Sequence, residues 1–222
     1  MGPRHRAARR RCRVRPGDDV LRPRQGAGVE FPRSRRPVMQ ITRDNSLLLV
    51  VDIQSKLAPH IVGNETLTRR TETLLAAARL FGVPKLLTEH CPNQIGRAIE
   101  PLRSQFGADE IFEKTAFGAT GHPEFIDRVR RTGRRLIVMT GMEAHVCVLQ
   151  TALGLRAHGL DVCIVADAVG SRTGRLVDRE HALQRMAQAG CLLAGTETVV
   201  YEWTAAATDP RFREVLSLVK AL

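Results

Sequence analysis

The sequence predicts an α/β protein, a three-layer αβα sandwich built on a mostly parallel six-stranded sheet of the Rossmann-like type. Short β-rich apolar runs without polar alternation, typical of strands buried on both faces, recur along the chain. Stretches with helical periodicity lie between them, and strands joined through helices form right-handed crossovers in a parallel sheet. With 222 residues the chain is long enough for one good core.

Six apolar runs qualify as strands. The first, Ser-Leu-Leu-Leu-Val-Val-Asp, is a buried strand that ends in a carboxylate. The second begins near Pro84, and proline is acceptable only at the start of a strand. The third is a short strand or extended turn. The predicted strands are residues 46–52, 83–88, 111–114, 136–140, 162–167 and 192–194.

Helices are indicated by apolar periodicity and by signals at their ends. Gly82 and Gly190 are placed to cap the ends of two helices, and Pro123 suits the first turn of another. Residues 95–106 are predicted to be irregular, with a short helix at most. The predicted helices are residues 65–81, 123–131, the stretch after Cys147, 178–189 and about 210–220.

Most of the positive charge lies in the first 38 residues. They hold 12 Arg and no Lys against three acidic residues, which is +9 of the total of +11, so the remaining 184 residues carry +2. A segment this rich in Arg, Pro and Gly cannot bury enough surface to offset its ordering entropy. We therefore predict a disordered leader, residues 1–38, and one domain, residues 39–222.

Three interpretations of the leader stay open: a basic tail that binds nucleic acid, an Arg-rich organelle presequence, and translated sequence upstream of a start at Met39. Five prolines interrupt any amphipathic presequence helix, and Phe31 is the one aromatic residue available for base stacking. We favour a functional chain that begins at Met39.

The composition argues against several classes of protein. No apolar run approaches the ~20 residues that cross a bilayer, so no membrane interaction is expected. Neither GxGxxG nor GxxxxGK[ST] follows a predicted strand, so a nucleotide cofactor is not expected. The cysteines form no CxxC pair, and no secretory signal peptide is recognisable, which indicates a reduced, cytoplasmic protein. These cysteines are Cys12, Cys91, Cys147, Cys163 and Cys191.

Cys147 is the candidate nucleophile. It lies between a predicted strand and the helix that follows, in the sequence Gly-Met-Glu-Ala-His-Val-Cys-Val-Leu-Gln of residues 141–150. In the first turn of a helix, the helix dipole and unpaired backbone N–H groups favour a thiolate over a thiol. The alternative is the common one for buried cysteines, an inert small hydrophobic residue of the core.

Two further reactive residues end predicted strands. Asp52 follows five apolar residues, where an unpaired carboxylate would be costly, and Lys114 lies near Phe112 and Phe117. The carboxyl ends of parallel strands meet at one edge of a sheet, where active sites collect. Asp52 and Lys114 are therefore expected to pair with each other. The alternatives are a turn residue and a solvated surface cation.

From about residue 47 to residue 220 the chain resembles the isochorismatase-like cysteine hydrolase family, which includes nicotinamidases and N-carbamoylsarcosine amidases. Within this family, its sequence is most similar to the branch called isochorismatase domain-containing proteins. Four segments carry the resemblance in the family's order and at family-like spacing. They are residues 50–54, 112–117, 141–150 and 165–172.

This resemblance implies a catalytic triad. Asp52 would be the general base that takes the thiol proton and later serves the hydrolytic water, Lys114 would hold Asp52 ionised and favour the thiolate, and Cys147 would attack a carbonyl carbon. A non-proline cis peptide would fall at Met142–Glu143, and the backbone N–H groups of Glu143 and Cys147 would form the oxyanion hole. The expected reaction is C–N hydrolysis of a small amide, ureide or related carbonyl substrate through a thioacyl enzyme.

The chain also departs from the family. Nicotinamidases bind a metal through an Asp-x-His cluster with a further His, whereas residues 88–93 read Thr-Glu-His-Cys-Pro-Asn, so we expect neither a metal nor a cofactor. Isochorismatase itself hydrolyses a vinyl ether and lacks the nucleophile, so Cys147 argues against that reaction. A second function stays open, a catalytically weak or inactive protein that acts by binding partners. We expect a small-molecule substrate, a homo-oligomer and no nucleic-acid partner.

Five residues are candidates for the substrate pocket. Gln54 is predicted to point its side-chain amide into the pocket, and His145 either lines the pocket or is structural, which is at least as common for a histidine in a tight turn. The candidates are Gln54, His90, Phe117, Ala144 and His145.

Residues farther along the chain receive other roles. Asp167, Ser171 and Arg172 are predicted to brace the loop at the end of the fifth strand. His181 is predicted to lie on the surface of a helix, and Trp203 either to cover the pocket or to pack at a subunit interface.

Overall fold

The structure, a computed structural model, describes Gly2 and residues 39–222. Our predictions for the leader therefore lie outside the described residues, Gly2 apart. Residues 39–222 form one compact unit. No helix among the described residues is long and apolar enough to span a membrane.

A parallel six-stranded sheet lies at the centre of this unit, in the order β3-β2-β1-β4-β5-β6. This confirms the predicted fold class. The chain adds β2 and β3 on one side of β1 and then crosses to β4 on the other side, so the strand order reverses between β1 and β4. The strands are β1 Ser46–Val51, β2 Lys85–His90, β3 Ile111–Lys114, β4 Leu136–Met142, β5 Asp161–Gly170 and β6 Leu192–Ala194.

Helices cover both faces of the sheet. Alternate residues of β1 point to opposite faces, so Leu48 and Val50 pack on the side of α1, α6 and α7, while Leu47, Leu49 and Val51 pack on the side of α3, α4 and α5. All six residues of β1 are buried, as expected for a central parallel strand. The helices are α1 Asn64–Phe81, α2 Pro92–Ile95, α3 Pro123–Arg131, α4 Leu149–Ala157, α5 Leu176–Gln188, α6 Thr196–Thr204 and α7 Phe212–Lys220.

Several predicted boundaries were wrong because strand pairing decides them. The second strand begins two residues later than predicted, at Lys85, and continues to His90, where it pairs with β3. The fourth and fifth strands are longer than predicted because they stay paired beyond a register shift between Met139 and Gly141. Apolar composition alone does not reveal such pairing.

Helix α6 was missed, and with it the position of Trp203. The side chain of Asp167 accepts hydrogen bonds from the backbone N–H and the hydroxyl of Thr196, at 2.9 Å each, and so caps α6 from a distant strand. Trp203 lies in α6 with no exposed surface, and its indole N–H donates to the Ser46 hydroxyl at 3.1 Å. The prediction that Trp203 covers the pocket or packs at a subunit interface was therefore wrong.

Replacing Trp203 with phenylalanine is expected to lower the free energy of unfolding by roughly 1–3 kcal/mol, since the smaller ring leaves space and Ser46 loses a hydrogen-bond donor. Urea unfolding measures this loss. Tyr201→Phe is the control on the same helix, because Tyr201 is 37% exposed, and its effect should stay within about 0.5 kcal/mol. Equal losses in the two variants would contradict the anchoring role of Trp203.

Candidate active site

Asp52 lies directly after β1, at the point where the strand order reverses. Open parallel sheets bind ligands in the crevice at this point. The residue has φ 52°, a left-handed conformation that aspartate tolerates better than most residues, and its side chain is fully buried. The Thr88 hydroxyl donates to Asp52 Oδ1 at 2.6 Å. A charged group this deep requires such partners.

Lys114 supplies the other partner. Its ammonium donates to Asp52 Oδ2 at 2.6 Å, and the side chain of Lys114 has no exposed surface. The same ammonium donates to the backbone carbonyls of Phe117 at 3.0 Å and Ala116 at 3.3 Å. All three of its N–H groups therefore have acceptors within the protein, as a buried ion pair requires.

Cys147 completes a cluster of three. It lies in a π-helical turn, Ala144–Val148, that follows β4 and continues directly into α4, so Cys147 lies at the start of the helical segment, as predicted. Cys147 is 6% exposed, and it lies close enough to Asp52 and Lys114 for both charges to act on its thiol. The structure thus brings the three residues singled out at strand ends together at one edge of the sheet.

The protonation of Cys147 differs from the sequence-based prediction. Burial, and then the negative charge of Asp52, raise the pKa of the Cys147 thiol to about 12, against the opposing charge of Lys114. The prediction of a thiolate favoured by the helix terminus and Lys114 was therefore wrong for the resting site. A neutral thiol beside a carboxylate needs proton transfer to that carboxylate before it becomes a strong nucleophile.

The turn before Cys147 is held by the segment that follows β5. The peptide bond between Met142 and Glu143 is cis, at the position that the family resemblance implied. The carboxylate of Glu143 accepts from the backbone N–H of Arg172 at 3.1 Å and pairs with the Arg172 guanidinium. His145 Nδ1 lies 2.9 Å from the Ser171 hydroxyl. Ser171 and Arg172 therefore brace this turn, and the ring of His145 has a structural partner.

Gln54 does not point its amide into the pocket as predicted. Its side chain is fully buried, and both ends of the amide bind backbone. Gln54 Oε1 accepts from the His90 N–H at 2.7 Å, while Nε2 donates to the His90 carbonyl at 3.0 Å and to the Gly96 carbonyl. The residue ties the segment after β1 to the end of β2 and to the loop that follows it, a role that depends on long-range pairing.

His90 and Phe117 form an aromatic pair beside the ion pair, with ring centroids 5.2 Å apart. Burial, and then the charge of Lys114, lower the pKa of His90, opposed by Asp52 and the Ala116 carbonyl, so the ring is neutral at physiological pH. Phe117 is 52% exposed, whereas Ala144 is fully buried at the start of the π-helical turn.

Two residues outside this cluster, Asp167 and His181, also have positions to compare with the predictions. Asp167 lies within β5, where its side chain binds Thr196 of α6 and lies 3.4 Å from Arg70, so the prediction that it braces the loop after this strand was wrong. His181 is exposed on α5, as predicted. No group of three metal-ligating side chains occurs among the described residues.

Sequence reasoning missed Glu89, which is fully buried. Its carboxylate accepts from the Ala98 N–H at 2.8 Å and from Arg103 at 3.0 Å, and it lies 3.4 Å from Arg97. Glu89 therefore anchors the loop after β2, and these contacts leave it unsuited to metal binding. A charged residue inside an apolar strand was the available signal.

Comparisons with known proteins show the family of this chain. The family model described as Isochorismatase domain matches residues 46–198. Isochorismatase family protein 1B of Dictyostelium discoideum is 33% identical over 83% of this chain and 91% of its own length. Isochorismatase domain-containing protein 2 of Bos taurus is 34% identical over 83% of this chain and 88% of its own length.

Solved structures give the same result. A structure described as MAR1 ribonuclease from Caenorhabditis elegans is 33% identical, with a TM-score of 0.75 over 82% of this chain and 93% of its own. The YcaC gene product of Escherichia coli, described as an octameric hydrolase of unknown specificity, shares the fold at 24% identity, with a TM-score of 0.77 over 84% of this chain and 92% of its own. On the extent of the domain match and these identities, the chain belongs to the isochorismatase family.

Proposed function

We propose that this protein is a cysteine hydrolase that cleaves the C–N bond of a small amide, ureide or related carbonyl substrate through a thioacyl-enzyme intermediate. The observation that carries the proposal is the neutral Cys147 thiol beside the buried Asp52–Lys114 ion pair, whose two charges both act on it. The fold supports it as well, because Asp52 and Cys147 follow the two strands that flank the reversal in strand order.

The reaction has two halves. Asp52 takes the thiol proton as Cys147 Sγ bonds to the substrate carbonyl carbon, and the oxyanion is held by the backbone N–H groups of Glu143 and Cys147. The C–N bond then breaks, and protonated Asp52 gives its proton to the leaving nitrogen. Water adds to the thioester after Asp52 removes its proton, the C–S bond breaks, and Cys147 is reprotonated. Lys114 compensates the charge of Asp52 whenever that residue is ionised.

The proposal extends to the pocket and the assembly. His90 and Phe117 line the entrance beside the ion pair, and the substrate is uncharged where it meets them because His90 is neutral and Lys114 has no unpaired N–H. We also propose a homo-oligomer, with the exposed apolar side chains of Val62, Leu176 and Val177 as candidates for the contact.

A panel of small amides and ureides tests the proposed reaction by release of ammonia or amine. Cys147→Ala should abolish turnover, and acid-quenched wild-type protein should carry an acyl group on Cys147 by mass spectrometry. Cys191→Ala is the matched control, because burial likewise raises the pKa of the Cys191 thiol, to about 11, in a residue that precedes β6. Turnover that survives Cys147→Ala would overturn the mechanism.

Two rival functions have their own outcomes in this experiment. RNA belongs in the panel because the Caenorhabditis elegans relative is described as a ribonuclease. RNA cleavage that needs Cys147 would replace the amide proposal. A folded protein with no turnover of any substrate and no acyl adduct would favour the alternative in which the protein acts by binding partners.

A further inference from the structure

The position of the Lys114 ammonium depends on the backbone turn that follows it. Two of its three acceptors are carbonyls of this turn, those of Ala116 and Phe117. Phe117 is 52% exposed, so core packing of its side chain does not fix the turn. Some other contact must hold the two carbonyls towards Lys114, because a loose turn would leave the buried ammonium without acceptors.

The ring of His122 makes that contact. Its Nε2 lies 3.3 Å from the backbone nitrogen of Thr115 and 3.3 Å from that of Ala116. A backbone N–H can only donate, so His122 Nε2 is the acceptor in both contacts. The ring of Phe112 packs edge-on against His122 at 5.8 Å and fixes its orientation.

The far side of the same loop is tied to the nucleophile's helix. The N–H of Ala119 donates to the Thr151 hydroxyl at 3.1 Å, and Thr151 lies in α4. A Cβ added to Gly118 would lie 3.3 Å from the backbone of Gln150. The loop that follows Lys114 therefore contacts α4, the helix after Cys147, and it is held at two points, by His122 and by Thr151.

We propose that His122 is a positioning residue for Lys114. By accepting from the N–H groups of Thr115 and Ala116, its ring shapes the turn so that the carbonyls of Ala116 and Phe117 keep the Lys114 ammonium on Asp52. His122 touches none of the reacting atoms. Its effect on turnover rests on the proposed hydrolase function, whereas its effect on Cys147 through the charge of Lys114 does not.

The test compares His122→Gln with His122→Asn. The side-chain oxygen of glutamine takes about the place of histidine Nε2, whereas that of asparagine takes the place of Nδ1 and falls short of the turn. His122 is also the N-cap residue of α3 and makes no side-chain cap bond. Asparagine is among the best N-cap residues, so His122→Asn should keep or raise the stability of α3. The two variants thereby separate an effect on the stability of α3 from an effect on the position of the Lys114 ammonium.

Two readouts are measured. The first is Cys147-dependent hydrolysis of p-nitrophenyl acetate, with Cys147→Ala as background. We expect His122→Gln to stay within about threefold of the wild-type kcat, and His122→Asn to lose at least about tenfold in kcat at unchanged KM. The second is the rate of Cys147 alkylation by iodoacetamide near pH 9, which needs no substrate. Because Lys114 lowers the pKa of Cys147, a displaced Lys114 slows alkylation in His122→Asn and not in His122→Gln.

The outcomes separate the two proposals. If the wild type shows no Cys147-dependent hydrolysis, the proposed function fails on this probe, and the alkylation rates alone decide the role of His122. His122→Asn with wild-type alkylation would overturn the positioning role. So would equal losses in both variants together with a lower urea midpoint, since that pattern belongs to a residue needed only for folding.

Discussion

Asp52→Asn is expected to reduce hydrolysis by about 10²–10⁴-fold and, at the same time, to make Cys147 alkylate faster at neutral pH. Hydrolysis is lost because asparagine can neither take the proton of the thiol and the water nor return one to the leaving nitrogen. Alkylation accelerates because the charge of Asp52 raises the pKa of Cys147, whereas that of Lys114 lowers it. Removing the carboxylate leaves Lys114 as the dominant charge beside the thiol.

The pH dependence of Cys147 alkylation shows in which direction each variant shifts the pKa of the thiol. A thiol whose pKa is about 12 alkylates faster with each rise in pH across the stable range of the protein, since the thiolate fraction keeps increasing. In Asp52→Asn the same rise should begin at lower pH, with roughly a tenfold gain in rate at neutral pH for each unit that the pKa falls. In Lys114→Met the rise in alkylation rate should begin at higher pH, because the charge that lowers the pKa of Cys147 is removed.

Intact mass after timed exposure to iodoacetamide measures these rates. Asp127→Asn removes a carboxylate from the exposed side of α3 and should leave both the rate and its pH dependence unchanged. Slower alkylation in Asp52→Asn than in the wild type would contradict the charge arrangement. It would mean that Asp52 already holds the thiol proton in the resting enzyme.

Gly141→Ala is expected to cost on the order of 4–5 kcal/mol of unfolding free energy, or to prevent folding. Gly141 has φ 128°, which residues with a side chain rarely adopt. A Cβ there would lie 2.0 Å from the carbonyl oxygen of Val51 and 2.7 Å from its nitrogen. Val51 and Gly141 are register partners in β1 and β4, so the two central strands would have to separate.

Gly82→Ala is the matched control. Gly82 also has a positive φ, of 68°, but an added Cβ would meet nothing within 4 Å, so the expected cost is about 1 kcal/mol from the backbone alone. Urea unfolding compares the two variants, and the difference between them measures the steric part. A loss in Gly141→Ala no greater than that in Gly82→Ala would show that the two strands yield without cost. Loss of hydrolysis should accompany the destabilisation, because these strands carry Asp52 and Cys147.

The candidate site was predictable to the extent that it lies at strand ends. An acid directly after a buried strand, a lysine at the end of another and a cysteine between strand and helix are local signals, and a parallel sheet brings its strand ends to one edge. The family resemblance added the position of the cis peptide. The sequence did not indicate the contacts of three other residues, Thr88, Glu89 and His122. Each of them contacts a residue distant in the sequence or a turn whose shape cannot be predicted from the sequence.

The sequence by itself determined the strand–helix alternation, the buried strands and the residue types available for chemistry. These features depend on the pattern of apolar and polar residues along short stretches of the chain. The tertiary structure decided which groups meet. It bound the Gln54 amide to the backbone of His90 and buried Trp203, which lies in α6. It also placed Cys147 in a buried position beside the Asp52 carboxylate, and both effects keep its thiol protonated. Hydrogen bonding and pKa depend on neighbours within a few ångströms, and strand order and helix packing choose those neighbours.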